Sequence, residues 1–237
     1  MQQSNFDEMS KSWWNKDGPV ALLHSMNKTR MLFIQERILN RYQSLDTLEN
    51  IFEKKKILDL GCGGGILSES IAKKGGKVTA VDKSKSLIKI AKERAKRQNL
   101  KINYQVSNIE DLQKKSERFD IIISLEVIEH VDNYKNFLQC IFGCLKKNGV
   151  VIISTINRSL FSYLSTILIA EKVLKLVPEK THDWDKYLKP DEIINFSSKY
   201  NINYDKKCGL LPIPCKRNFK WIRTKNVLSN YILSLVN

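Results

Sequence analysis

The sequence predicts an α/β protein built on a doubly wound, mostly parallel, seven-stranded sheet. Three observations carry this prediction. Apolar segments of strand length alternate with helical segments from residue 56 onward. The run 119–125 is almost wholly apolar, as suits a strand covered on both faces of a parallel sheet. The first strand opens into Gly61-Cys62-Gly63-Gly64-Gly65 ahead of a helix, and a second strand ends on Asp82. Such sheets build nucleoside pockets from those two strand ends: bare main chain at the first, and a carboxylate for the ribose hydroxyls at the second.

Taken in order, residues 6–50 read as a helical cap with two breaks, one at Gly18-Pro19. A strand follows at 56–60, a helix at 66–74 and a strand at 77–81. Next come a helix at 86–98 and strands at 102–106 and 119–125. The segment 134–145 is helical, and Asn148-Gly149 turns into a strand at 150–155. This βαβ repetition is what calls for the doubly wound sheet. An insertion at 158–190 interrupts it after the fifth strand. Pro190 then opens a helix at 191–199, and a strand pair lies near 202–209 and 218–224.

The totals bound the function. The chain has 237 residues, 42% apolar and 27% charged, enough for a full core and against disorder. The 40 Lys and Arg exceed the 25 Asp and Glu, for a net charge of +15. Two readings of this stand: a coding bias toward Lys, Asn and Ile, or a field suited to anionic lipid or nucleic acid. The five cysteines form neither a CxxC pair nor a zinc spacing, which predicts reduced thiols. The N-terminus shows neither a secretory signal nor a mitochondrial presequence, and no stretch suffices to span a membrane. The expectation is a cytoplasmic protein.

Within the insertion, residues 159–179 carry a narrow polar stripe and a wide apolar face that includes Leu164, Ile167 and Leu168. Such a helix either packs on its own sheet or meets lipid or a long hydrocarbon ligand. Trp13-Trp14 reads as half core and half interface, fit for a flap over a ligand. Asn108, just past the third strand, stands where this kind of sheet edges an adenine.

After the strand 119–125 comes Glu126-Val127-Ile128-Glu129-His130. If helical, Glu126, Glu129 and His130 share one face, and their oxygen-rich set suits Mg²⁺ or another hard divalent cation. The competing reading is a run that only shapes the substrate mouth. His182, in Thr181-His182-Asp183, is a loop histidine open to a catalytic or a merely solvated role. Arg30 offers a fork matched to a carboxylate.

Glycine spacing separates the nucleoside classes. A dinucleotide fold needs glycine at the sixth position of GxGxxG, where this chain has Ile66. The pattern Asp59-x-Gly61-x-Gly63-x-Gly65 instead resembles the first motif of class I S-adenosylmethionine-dependent methyltransferases, which are Rossmann-like. Asp82 lies 21 residues after Gly61.

Over nearly its whole length the chain resembles the ubiquinone biosynthesis O-methyltransferase family. The matching segments include Trp13-Trp14, Asn27 to Arg30, Leu58 to Leu67, Glu126 to Val131, Ser154 to Arg158, Thr181-His182-Asp183 and Lys189-Pro190. Departures are Asn27-Lys28, where the family has Asn-Pro, and Pro212-Ile213-Pro214, where it has Tyr-Asn-Pro. The resemblance implies S-adenosylmethionine as cofactor, with contacts at Arg30, Gly61, Asp82 and Leu125, beside Asp59, Gly63, Gly65 and Asn108 of the motif positions. In some members it implies a divalent ion on the residues matching Glu126, Glu129 and His130. It further implies a polyprenylated phenol or quinol substrate, with His130 or His182 as proton acceptor. The expected partners are an anionic membrane surface and other enzymes of quinone biosynthesis.

The chain is thus read as one methyltransferase domain: cap 1–50, cofactor-binding core 51–157, substrate and membrane insertion 158–190, and remaining sheet 191–237. Two rivals were weighed. An RNA methyltransferase lacks support, since no RNA-binding module and no Asn/Asp-Pro-Pro-Phe/Tyr signature is present. A non-catalytic lipid-binding scaffold would have no use for an intact glycine motif.

Overall fold

The computed structural model describes residues 10–18, 20–42, 50–162, 184–215 and 218–237. Five strands come first: β1 (Lys56–Leu60), β2 (Lys77–Asp82), β3 (Asn103–Val106), β4 (Phe119–Leu125) and β5 (Leu145–Ile156). Three more follow: β6 (Asn203–Cys215), β7 (Asn218–Thr224) and β8 (Asn230–Val236). They form one sheet in the order β3-β2-β1-β4-β5-β8-β6-β7. The first five are parallel, and β8, β6 and β7 run antiparallel to their neighbours.

The main helices are α1 (Ala21–Tyr42), α2 (Ile66–Ala72), α3 (Lys85–Arg97), α4 (Ile109–Lys114), α5 (Tyr134–Gly143) and α6 (Pro190–Ser198). Side chains alternate across each strand, so neighbours serve different cores. Ile57, Val78, Ile121 and Ile152 face Phe33, Ile34 and Ile38 of α1. Leu58, Ile122, Val151 and Leu233 face Phe137, Leu138 and Ile141 of α5. This two-sided burial explains the unbroken apolar runs. Ser84 caps α3, its hydroxyl accepting from Leu87 N at 3.2 Å. Asn133 caps α5, accepting from Lys135 N and Asn136 N at 3.1 Å each.

Three differences from the sequence-based reading emerge. The sheet has eight strands rather than seven, because Asn230–Val236 enters between β5 and β6. Its run of Tyr231, Ile232, Leu233 and Leu235 is buried, which a chain end does not announce. A six-residue helix, α4, forms where polar residues hide any periodicity. Among the described residues the cap holds a 3₁₀ turn at Ser10–Ser12 and one long helix, parted around Gly18 as expected. β5 starts five residues before 150, with an irregular register against β4 between Phe119 and Ile121. The predicted amphipathic insertion lies mostly outside the described residues. Its described edge is a helical turn, Leu160–Ser162.

β8 is tied down by the Tyr231 hydroxyl, which donates to Leu188 O at 2.9 Å just ahead of α6. Leu233→Ala is therefore expected to cost about 2–5 kcal/mol in urea-induced unfolding, as for other buried leucines. A loss below about 0.5 kcal/mol, the scale of surface substitutions, would contradict the central placement of β8.

Candidate cofactor and acceptor site

β1 pairs with β2 on one side and β4 on the other. The chain therefore winds away in both directions, leaving a crevice at the carboxyl ends of β1 and β4, where ligands enter such sheets. The glycine turn forms its floor. Gly61 N and Cys62 N donate to Val81 O at 2.8 and 3.0 Å. Gly61 adopts φ 76°, and a Cβ there would fall 2.2 Å from Val127 Cγ2. Gly65 adopts φ 89°, with a Cβ 2.2 Å from the Tyr104 hydroxyl. Both positions exclude any side chain on conformation and on space. The turn consequently lets its neighbours pack directly against main chain at both positions.

Asp82 closes the far side of the turn. Its Oδ2 accepts from Gly63 N and its Oδ1 from Ser84 N, each at 2.8 Å. Two backbone donors hold the carboxylate in one orientation. The carboxylate thus stands at the end of β2, where such sheets take the ribose hydroxyls. Asn108 is present at the neighbouring strand end, but its Oδ1 caps α4, accepting from Asp111 N at 2.8 Å. Only its amide NH₂ is left for an adenine edge. Leu125 ends β4, half-buried beside the crevice.

Asp59 is 2% exposed and accepts from the Ser68 hydroxyl at 2.5 Å. Burial pushes its carboxyl up to about 7 against the lowering effect of that hydrogen bond, and the charge of Asp82 adds to the rise. The predicted motif acid thus ties β1 to α2. Ser68 as its partner was not foreseen. The same burial holds the Cys62 thiol well above its usual range, so it is no nucleophile.

Arg30 and Glu126 meet, which sequence reading did not anticipate. Arg30 Nη2 donates to Glu126 Oε1 at 2.7 Å, and the Ser154 hydroxyl reaches the same oxygen at 2.6 Å. Asn230 Nδ2 approaches Glu126 Oε2 at 3.4 Å. Burial lowers the Arg30 pKa, opposed by the charge of Glu126. Glu129 is buried and accepts from the Thr155 hydroxyl at 2.8 Å. Burial first, then the Glu126 charge, raises the Glu129 carboxyl above the usual carboxylate range. Asn230-Tyr231 weakly resembles the family in sequence, but only the insertion of β8 beside β5 brings Asn230 to this site.

The expected helical face of Glu126, Glu129 and His130 does not form. Glu126 has φ 55°, outside the right-handed helix, and only Ile128–His130 makes a 3₁₀ turn. Among the described residues no three His, Cys, Asp or Glu side chains gather into a metal cluster. With Glu126 on Arg30 and Glu129 on Thr155, this arrangement does not fit a divalent ion. His130 is half-buried at the mouth of the crevice. His182 lies outside the described residues.

Trp13 comes down over the turn from the cap, its indole packed against Gly63 and Gly64. His24 Nε2 pairs with Trp13 O at 2.8 Å, and the Arg94 guanidinium stacks 4.3 Å from the Trp14 ring centroid. Both indoles are thus pinned beside the pocket.

This strand order, with a glycine turn at the end of β1 and a clamped acid at the end of β2, defines a class I S-adenosylmethionine-dependent methyltransferase. Residues 34–203 match the family described as a methyltransferase domain. An S-adenosylmethionine-dependent methyltransferase from Clostridium acetobutylicum superposes with TM-score 0.62 at 16% identity, over 88% of this chain and 91% of that one. Magnesium protoporphyrin IX methyltransferase from Synechocystis with bound SAH gives 0.60 at 14% identity, over 90% and 85%. At such identities the likeness shows the fold. More similar in sequence is the ubiquinone biosynthesis O-methyltransferase of Rickettsia felis, 40% identical over 97% of this chain and 90% of its own. That of Pelagibacter ubique is 38% identical over 98% and 95%. The chain belongs to the ubiquinone biosynthesis O-methyltransferase family.

The Asp59 carboxyl makes stability pH-dependent. The unfolded chain ionises near 3.8 and the folded one near 7, so the unfolded state holds fewer protons between those values. Stability should fall as pH rises through that window and level off above it. At about 1.4 kcal/mol per pKa unit the drop is a few kcal/mol. In Asp59→Asn that component of the slope should vanish, as read from thermal melts at stepped pH.

Proposed function

We propose that the protein transfers the methyl group of S-adenosylmethionine to a ring hydroxyl of a polyprenylated catechol or phenol. Within ubiquinone biosynthesis this converts demethylubiquinol to ubiquinol, and it extends to a 2-polyprenyl-6-hydroxyphenol. The observation that carries the reading is the extent of the match, about 40% identity over nearly the whole chain to relatives named for that step.

The chemistry follows from the crevice. A phenol titrates near pH ~10 by analogy with tyrosine, so it needs a proton acceptor at neutral pH. His130, at the carboxyl end of β4, supports that role among the described residues. His182 is the other candidate. Most of the rate comes from holding oxygen, methyl carbon and sulfur in line. Asp82 orients the nucleoside and Trp13 walls the turn. No step is routed through a divalent ion, because Glu126 and Glu129 are engaged with Arg30 and Thr155.

Methyl transfer to a demethylquinol extract should be robust in the wild type and fall at least about 100-fold in Asp82→Ala, which loses the clamped ribose acceptor. Full activity in the variant would remove the site. Sensitivity to a chelator in the same assay would reinstate the ion.

The protein also docks peripherally on the inner face of an anionic membrane in this reading, since a polyprenyl tail stays in the bilayer. The net charge of +15 supports it, as do Leu160 at 74% and Phe161 at 49% exposure at the edge of the amphipathic segment. Flotation with phosphatidylserine-containing vesicles is expected, and Leu160→Asp with Phe161→Asp should weaken it several-fold. Unchanged flotation would remove these side chains from the contact.

A further inference from the structure

We propose that Glu126 competes with the cofactor's α-carboxylate for Arg30, so that cofactor binding exchanges one carboxylate for the other and turns Glu126 toward the acceptor. The inference rests on S-adenosylmethionine being the ligand of the crevice.

Arg30 has nowhere else to go. It is 4% exposed on α1, and the residues around it are anchored on both sides. Asn27 Nδ2 donates to Ser70 Oγ of α2 at 2.9 Å, and Thr29 Oγ1 donates to Trp221 O of β7 at 2.9 Å. A buried guanidinium requires an anion inside the protein. Its ion-pair partner is Glu126, at 2.7 Å. Its Nε is buried with no hydrogen-bond partner, so the guanidinium still has donor capacity to offer.

The pair also stands where the amino-acid end of the cofactor belongs. The ribose site is Asp82, clamped against Gly63. From there the sulfonium and its carboxylate extend past the other end of the turn, toward Gly61. The side chain packed on Gly61 is Val127, and Glu126 immediately precedes it. An incoming carboxylate therefore meets a guanidinium already holding one.

Glu126 has a place to retreat. Its backbone is set by φ 55° and by its own N–H donating to Ser154 O at 2.9 Å. Only the side chain need shift off Arg30, and Ser154 Oγ and Asn230 Nδ2, already at 2.6 and 3.4 Å from its two oxygens, keep donating to it once the pair opens. A ligand that carries a carboxylate thus has to displace Glu126, whereas a nucleoside without one does not.

The test compares S-adenosylhomocysteine with 5′-methylthioadenosine, which lacks the amino-acid end, by titration calorimetry. In Glu126→Gln, S-adenosylhomocysteine should bind about tenfold tighter, the scale of one charge-assisted hydrogen bond, with methylthioadenosine unchanged. Glu126→Asp, which draws the carboxylate back by one methylene, should tighten S-adenosylhomocysteine by a smaller factor and serves if the glutamine variant does not fold. Unchanged or weaker S-adenosylhomocysteine binding in a folded variant would overturn the competition. So would an equal shift for both ligands, which would mean a general change of the pocket. If the wild type binds neither ligand, the cofactor reading itself falls and takes this proposal with it.

Discussion

The structure depends on how closely the end of β1 approaches the turn after β4. Val127 occupies the space that a side chain on Gly61 would fill. That contact sets the width of the crevice and aims Glu126 toward α1. On the other side, Tyr104 of β3 presses on Gly65 in the same way. The glycine turn is thus gripped between the two halves of the sheet. Its main-chain donors are turned onto their neighbours, Gly61 N and Cys62 N onto Val81 O and Gly63 N onto Asp82, which fixes the shape of the turn.

A second constraint is electrostatic. Arg30, Glu126, Glu129 and Asp59 sit in or beside a dry pocket, and each is stabilised differently. Arg30 and Glu126 neutralise one another. Glu129, held by the Thr155 hydroxyl, and Asp59, held by the Ser68 hydroxyl, are both raised by burial. Uncompensated charge in such a place costs several kcal/mol per ion. The arrangement therefore keeps the buried charge close to balanced, with Asp82 at the half-buried rim at the end of β2. An acid near the ribose and a basic group near the amino-acid end are together complementary to a zwitterionic nucleoside.

Much of the fold was legible in the chain. The strand at 56–60, its glycine turn and Asp82 follow from local pattern, and strand 119–125 from its apolar run. These elements share a cause: each is fixed by short-range backbone chemistry or by burial on both faces. Less was legible beyond residue 200. A terminal stretch such as 230–236 looks like any apolar tail, and its position between β5 and β6 is a long-range pairing. The run from Glu126 to His130 shows the same limit. Its spacing suits a helix, but β4 ends in a left-handed residue that directs Glu126 to Arg30, 96 positions away in sequence.

The sequence by itself determined the class of sheet, the bare turn, the ribose acid and the family. All of these are local patterns whose physics acts within a few residues. Only the tertiary structure decided what the charged groups do. It set Arg30 on Glu126, Thr155 on Glu129 and Asn230 beside Glu126, because a buried charge takes the partner that packing delivers rather than the one its spacing suggests.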